Sequence, residues 1–355
     1  MSALIYNRVK IAQVLSSHIA NADQVDKWGN TPLHYAAATG LLEVIEVLLT
    51  KTTVANKQNK NGHTPLMLAI QCGHASAAAL LLMVPNIDFD QSDVDGNTLL
   101  HYAAEKDMLE IVNFILPETT NPNKQNKNGC TPLMLAIENG HIEVATKLVH
   151  EVPNIDFDQT DIYGKTLVHY AAIAGLSDIF KILLPKTSHP CKPNKYDRTP
   201  LVLAILYGNV KASLILLEKW HDCDQTDDNG NTLLHYAAEK GLLEIVERIL
   251  RKNCDPNKQN NSGRTPLMLA ILYDHVYVAL ALLKQIGNVD QIDMMGNTSL
   301  HYAAEKGWED VVITLLAKTS LFNLENNAGS TPSALAKVND HPRLVELLSV
   351  WTRWF

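Results

Sequence analysis

The pattern that most constrains this chain is a threonine that recurs at a nearly fixed interval: Thr31, Thr64, Thr98, Thr131, Thr166, Thr199, Thr232, Thr265, Thr298 and Thr331. The spacings are 33, 34, 33, 35 and thereafter 33 residues. Each threonine opens a similar segment, such as TPLHYAAATG, TPLMLAIENG or TLLHYAAEKG, and an apolar-periodic stretch such as LLEIVERIL follows it. A unit this short leaves apolar faces that only its neighbours can cover. Ten consecutive units therefore imply an all-α repeat solenoid, in which each copy is stabilised by the next.

The unit can be read residue by residue. Pro32, Pro65, Pro132, Pro200, Pro266 and Pro332 each follow one of the threonines. That is the first helical position, where a missing N–H costs nothing and the preceding hydroxyl caps the helix. This first helix is expected to stop at Gly40, Gly73, Gly140, Gly175, Gly208, Gly241 and Gly307, where left-handed backbone ends it. Asp107, Asp274 and Asp340 take that place in three units, and aspartate tolerates the conformation better than most residues. A second helix, for example over 242–250, carries apolar residues at i, i+3, i+4 and i+7 and buries one face. The polar stretch rich in Asp, Asn and Gly before the next threonine fits a projecting hairpin.

The ten in-phase units resemble the ankyrin repeat family, whose unit is about 33 residues long with a T-P-L-H-x-A signature. The resemblance runs from about Asp23 to the C-terminus. It implies a curved right-angle stack of helix-turn-helix units with projecting hairpins, built for protein–protein interaction. The expected organisation is an N-terminal capping helix and first hairpin arm over 1–27, nine repeats over 28–328, and a capping repeat with an aromatic tail, VWTRWF, over 329–355. Residues 2 to 20 read as a terminal second helix covering the first unit. Trp351, Trp354 and Phe355 either fold back on the last helix or form a docking peptide.

The copies are related in pairs. NKQNKNG stands at 56–62 and again at 123–129, and VPNIDFDQ at 84–91 and 152–159. Odd units carry His34, His101, His169, His235 and His301 in an HYAA segment preceded by DQxDxxG, whereas even units mostly carry LMLAI preceded by NKQNxxG. Odd hairpin tips are thus acidic (Asp90, Asp93 and Asp95; Asp156, Asp158 and Asp161; Asp222, Asp224, Asp227 and Asp228). Even tips are basic or neutral (Lys57 and Lys60; Lys124 and Lys127; Lys192, Lys195 and Arg198; Lys258 and Arg264). Such stripes could set register against a charged partner, but exposed pairs are worth only about 0–1 kcal/mol, which favours neighbouring loops simply neutralising one another.

Several chemistries are excluded or disfavoured. The formal charge of −8 gives no attraction to nucleic acid or to an anionic membrane. No run of about 18 apolar residues spans a bilayer, and the start lacks the apolar run of a signal peptide. The five cysteines, Cys72, Cys130, Cys191, Cys223 and Cys254, form no C-x-x-C pair and are expected to be reduced thiols of a cytoplasmic protein. DFDQSDVDG at 88–96 lacks the order of a calcium loop. Histidines repeating with the unit read as hydrogen-bonding scaffold, and the resemblance implies that they link neighbouring repeats. No catalytic residue, metal ligand or cofactor site is expected. The resemblance also aligns Asn56, Asn123, Asn257 and Asn323 with a connector asparagine known to be hydroxylated in the family, the plainer role being a turn-capping amide.

The resemblance further implies a ligand face made of the hairpin tips and the two residues before the first-helix glycine. In the first four units those residues are Ala38 and Thr39, Gln71 and Cys72, Glu105 and Lys106, Glu138 and Asn139, with no large apolar side chain. From the fifth unit onward the same surface offers Ile173, Leu206, Tyr207, Leu272 and Tyr273, joined by tip residues Tyr163, Tyr196, Met294 and Met295. Aromatics and Met together have the composition of an interface centre. The expected function is a monomeric, non-enzymatic scaffold that binds another protein chiefly with repeats 5–9. Two alternatives are an effector secreted by an intracellular bacterium into a host cytosol, and an enzymatic or metal-dependent activity in the groove.

Overall fold

The computed structural model describes residues 21–219 and 225–354. The capping helix expected over residues 2 to 20, together with Asp222, Cys223, Asp224 and Phe355, lies outside the described residues. Among the described residues there are twenty α-helices, a single 3-10 turn at Leu116–Glu118 and no extended strand. The chain divides into two compact units, Met1–Ser188 and His189–Phe355.

In the first unit the helices pair as α1 (Pro32–Thr39) with α2 (Leu42–Leu49), α3 (Pro65–Gln71) with α4 (Ala75–Leu81), α5 (Leu99–Glu105) with α6 (Leu109–Ile115), α7 (Pro132–Glu138) with α8 (Ile142–Glu151), and α9 (Leu167–Ala174) with α10 (Ser177–Leu183). The second holds α11 (Pro200–Leu206) with α12 (Val210–Lys219), α13 (Leu233–Glu239) with α14 (Leu243–Leu250), α15 (Pro266–Leu272) with α16 (Val276–Gln285), α17 (Ser299–Lys306) with α18 (Glu309–Leu316), and α19 (Pro332–Val338) with α20 (Pro342–Trp354). Odd-numbered helices stack on odd ones and even on even, α1 on α3 on α5 and so on within each unit. This is the repeat solenoid that the threonine period requires.

The first helices are mostly buried except α19 of the last unit, where only Pro332 and Ala336 are. Leu100, Ala103 and Ala104 of α5 are inaccessible, as are Val112 and Ile115 of its partner α6. The alanines explain the close approach of successive first helices, since a larger side chain there would hold the layers apart. Truncating Leu100 to alanine would cost about 2–5 kcal/mol, the range for a fully buried leucine. The expected helix stops are found: Gly40 has φ 68°, and Asp107, Asp274 and Asp340 adopt 56°, 66° and 61° in the same role. The aromatic tail continues α20 as far as Trp354.

The hairpin tips stack by backbone contact. Val94 N–H donates to Asn61 O at 3.0 Å, and Lys127 N–H to Asp95 O at 2.8 Å. This contact needs glycine at the tip. A Cβ on Gly62 would lie 2.8 Å from the Asp93 Cα, and its φ is 78°.

Candidate functional site

The periodic polar residues come first, because their placement decides which surface is left for a partner. In odd repeats His101 Nδ1 accepts the Thr98 backbone N–H at 3.1 Å and lies 2.9 Å from the Thr98 hydroxyl. An Nδ1 that accepts must be unprotonated, so the proton is on Nε2, which donates to the Cys130 carbonyl of the next repeat at 3.1 Å. The same links run from His34 to the His63 carbonyl, from His235 to Arg264, and from His301 to Ser330. Burial pushes His34, His101 and His235 down to about 4, and His301 is also lowered. These imidazoles are neutral scaffold links. In even repeats the threonine hydroxyl itself accepts the N–H three residues on, as Thr64 does from Met67 at 3.2 Å.

A second histidine ladder escaped the sequence reading. His74, His141, His275 and His341 each donate Nε2–H to a carbonyl of the preceding repeat: Ala38, Glu105, Glu239 and Glu305, at 2.9–3.1 Å. Its signal was in the sequence, as the Gly-His pairs at 73–74 and 140–141 and the Asp-His pairs at 274–275 and 340–341.

The acidic stripe expected on odd tips is corrected by the structure. Asp93, Asp161 and Asp293 are buried. Each accepts a tyrosine hydroxyl nine residues downstream: Tyr102 to Asp93 at 2.5 Å, Tyr170 to Asp161 at 2.8 Å, Tyr302 to Asp293 at 2.5 Å. Tyr236 does the same to Asp227, and Tyr35 to Asp26. The other oxygen of Asp93 accepts the N–H groups of Asp95 and Asn97. Burial alone would raise the Asp93 carboxyl, but the Tyr102 and Asn97 hydrogen bonds outweigh it and hold the group below the ordinary aspartate value. The first Asp of three DQxD segments is also used internally. Asp90 accepts from Thr120, Asp158 from Thr187 and Ser188, and Asp290 from Thr319 and Ser320. Asp93, Asp161 and Asp227 therefore close the tips of their own repeats, while Asp90 and Asp158 reach threonines 30 and 29 residues further on, and carboxylates with such donors stabilise where solvated ones do not.

Even tips carry Asn where odd tips carry Asp. Asn126 accepts from Asn128 and Cys130 N–H and uses its Nδ2 to donate to Asn97 Oδ1 at 2.8 Å. Even repeats carry leucine at the position of Tyr102, as Leu135 does in repeat 4, so an amide that also gives a hydrogen bond fits better than a charge. The connector asparagines reach the next connector and do not cap their own turn: Asn56 donates to Pro85 O and Asn86 O, Asn123 to Pro153 O, and Asn257 to Asn288 O.

The cysteine expectation is also amended. Cys72, Cys130 and Cys191 are free thiols whose ionisation is raised by burial, which makes them poor nucleophiles. Cys254 is disulfide-bonded, against the expectation of five reduced thiols. No C-x-x-C spacing in the sequence signals it. Among the described residues no cluster of three His, Cys, Asp or Glu side chains could hold a metal ion, and no helix is long and apolar enough to cross a membrane.

The surface expected to meet a partner is placed as follows. Tyr207 and Tyr273 sit at the ends of α11 and α15, where their N–H groups are still bonded into the helix, at 3.0 Å to Leu203 O and Leu269 O. Their rings are 62% and 48% exposed. Tyr196, Met294 and Met295 are exposed at tips of the same unit, and Leu206 and Leu272 are half-buried beside the tyrosines. Tyr163 and Ile173 belong to the first compact unit, the remaining seven candidates to the second. Tyr163 is exposed, with the Lys165 ammonium 5.8 Å from its ring.

Comparison with known proteins matches these repeats to the family model described as ankyrin repeats (3 copies) over residues 1–93, 81–161, 152–227 and 214–293, and to the ankyrin repeat model over 295–327. The chain is similar to a poly [ADP-ribose] polymerase tankyrase of Caenorhabditis elegans, 27% identical across 81% of this chain and 16% of the relative. It is similar to transient receptor potential cation channel subfamily A member 1 of Homo sapiens, 27% identical across 86% of this chain and 38% of the relative. It is likewise similar to ankyrin repeat domain-containing protein SAT10 of Stachybotrys chartarum, 26% identical across 94% of this chain and 18% of the relative. The chain spans less than two fifths of the length of these relatives.

Proposed function

The chain belongs to the ankyrin repeat family, and from that premise we propose that it is a non-enzymatic, cytoplasmic scaffold that holds a partner protein on its first-helix ends and hairpin tips, chiefly with repeats 5–9. The observation that carries this reading is the pair Tyr207 and Tyr273, aromatic rings open to solvent on backbone fixed by helical hydrogen bonds. Large rings on rigid backbone give contact area at low entropic cost, the character of interface hot spots. Further support comes from what the histidines and carboxylates already do. His101 reaches across to the next repeat and Asp93 receives Tyr102, and among the described residues no cluster of three His, Cys, Asp or Glu side chains could hold a metal ion. The chain acts as one folded protomer.

Affinity capture from eukaryotic cell lysate with wild type beside the double variant Tyr207→Ala, Tyr273→Ala tests this. A protein retained by wild type and lost with the variant, at unchanged circular dichroism, is the expected result. Equal retention by both would remove the two tyrosines from the binding face.

A further inference from the structure

The two VPNIDFDQ loops, at 84–91 and 152–159, lie in the same compact unit and share one conformation. Asn86 and Asn154 are both left-handed, at φ 59° and 54°. Asp90 N–H donates to Asp88 Oδ1 at 3.0 Å, as Asp158 N–H does to Asp156 Oδ1. Identical sequence and backbone make the surroundings a controlled comparison.

Around the second loop the chain covers its own phenylalanine with a cation: Lys186 Nζ stands 5.1 Å from the Phe157 ring centroid, inside the range of a cation–π contact. The preceding residues there are His150 and Glu151. Around the first loop the corresponding positions are Glu118 in place of Lys186, Leu82 and Met83 in place of His150 and Glu151, and Phe114 in place of Ile182. The result is an open hollow of about 460 Å³, lined by Leu82, Val84, Ile87, Phe89, Phe114 and Glu118. Met83 next to it is 80% exposed and Phe114 51% exposed, and Asp88 on the loop is exposed as well. Among the described residues no lysine or arginine of the chain lies over Phe89.

We propose that this hollow docks a basic-apolar segment of a partner protein, whose Lys or Arg side chain covers Phe89 and pairs with Glu118 while a neighbouring aliphatic side chain rests on Phe114. The chemistry is read from the twin loop, where the chain itself shows that a cation closes over this phenylalanine. The exchange of lysine for glutamate removes that cation and adds an anion that an incoming one would satisfy. Exposed apolar area of this kind beside fixed charge marks interaction sites. The site goes beyond the surface assigned above and stands independently of it, since it involves none of the residues of repeats 5–9.

The test is an amide-resolved NMR titration of the full chain with three capped tripeptides, Leu-Lys-Leu, Leu-Gln-Leu and Leu-Glu-Leu. The lysine peptide is expected to shift the amides of Phe89, Phe114 and Glu118, with a Kd at least about tenfold below that of the glutamate peptide, and to leave Phe157 unmoved. Glu118→Lys, which supplies its own cation, should abolish these shifts at unchanged Tm, and Glu118→Gln should weaken them. Equal shifts with all three peptides would reveal mere apolar adhesion and overturn the proposal. So would shifts that survive Glu118→Lys, or no shift at these amides with any peptide.

Discussion

Repeats 3 and 4 are neighbours built on one plan, yet they are held by different chemistry. Repeat 3 uses a buried carboxylate, Asp93, with Tyr102 and a neutral His101 that reaches across to repeat 4. Repeat 4 uses an amide, Asn126, and a threonine hydroxyl that caps α7 unaided. The difference teaches that the alternation in the sequence is an alternation of donors and acceptors. An odd repeat brings a tyrosine hydroxyl and therefore needs an anion to receive it. An even repeat carries leucine in its place and needs a group that can both give and take. The imidazoles that burial displaces furthest, His34, His101 and His235, all lie in odd repeats.

Acid should expose that difference most strongly. The imidazoles of His34, His101 and His235 are lowered from 6.5 to about 4 in the folded protein. The unfolded chain then binds more protons between those values. Stability is full above about pH 6.5 and falls as pH drops from 6.5 toward 4, with a slope of up to about 1.4 kcal/mol per pH unit for each histidine. Asp23, Asp93 and Asp290 are held below the usual 3.8. They stabilise above that value and lose their contribution as pH falls below it. Urea midpoints measured from pH 7 to pH 3 should therefore decline in two stages.

Making an odd repeat resemble an even one should cost less, though still clearly. His101→Met imitates Met134 of repeat 4 but leaves the Cys130 carbonyl without its donor, and about 2–3 kcal/mol should be lost in urea unfolding. It should also flatten part of the decline between pH 6.5 and 4. Exchanging the tip residues is predicted to cost about 1–2 kcal/mol in either direction. Asp93→Asn takes the anion from Tyr102, and Asn126→Asp takes the donor from Asn97. The smallest effect belongs to Tyr207→Ala with Tyr273→Ala. These rings pack on little, so unfolding should shift by no more than about 0.5 kcal/mol.

Much of this architecture was legible in the sequence because it follows from local rules. Thr, with Pro after it in six of the ten units, marked each helix start, Gly or Asp each left-handed stop, and the interval of about 33 the stacking of apolar faces. What escaped depends on partners that only the folded chain brings together. DQxD reads as surface charge until Tyr102 is seen nine residues on, folded back over Asp93. The His74 ladder needs a carbonyl 36 residues earlier. The two VPNIDFDQ loops could be recognised as copies, but only packing shows that one is capped by Lys186 and the other left open beside Glu118. Tyr207 and Tyr273 were found because they stand at a repeated position with unusual chemistry, a contrast visible without coordinates.

The claim that a buried carboxylate closes the tip of each odd repeat is tested most directly by a double-mutant cycle on Asp93→Asn and Tyr102→Phe, read by urea unfolding at pH 7. Groups joined at 2.5 Å should couple by about 1 kcal/mol or more, the double variant costing clearly less than the two single losses added together. Simple additivity would mean that Asp93 and Tyr102 act independently, and the acidic tips would again be surface charge open to a partner.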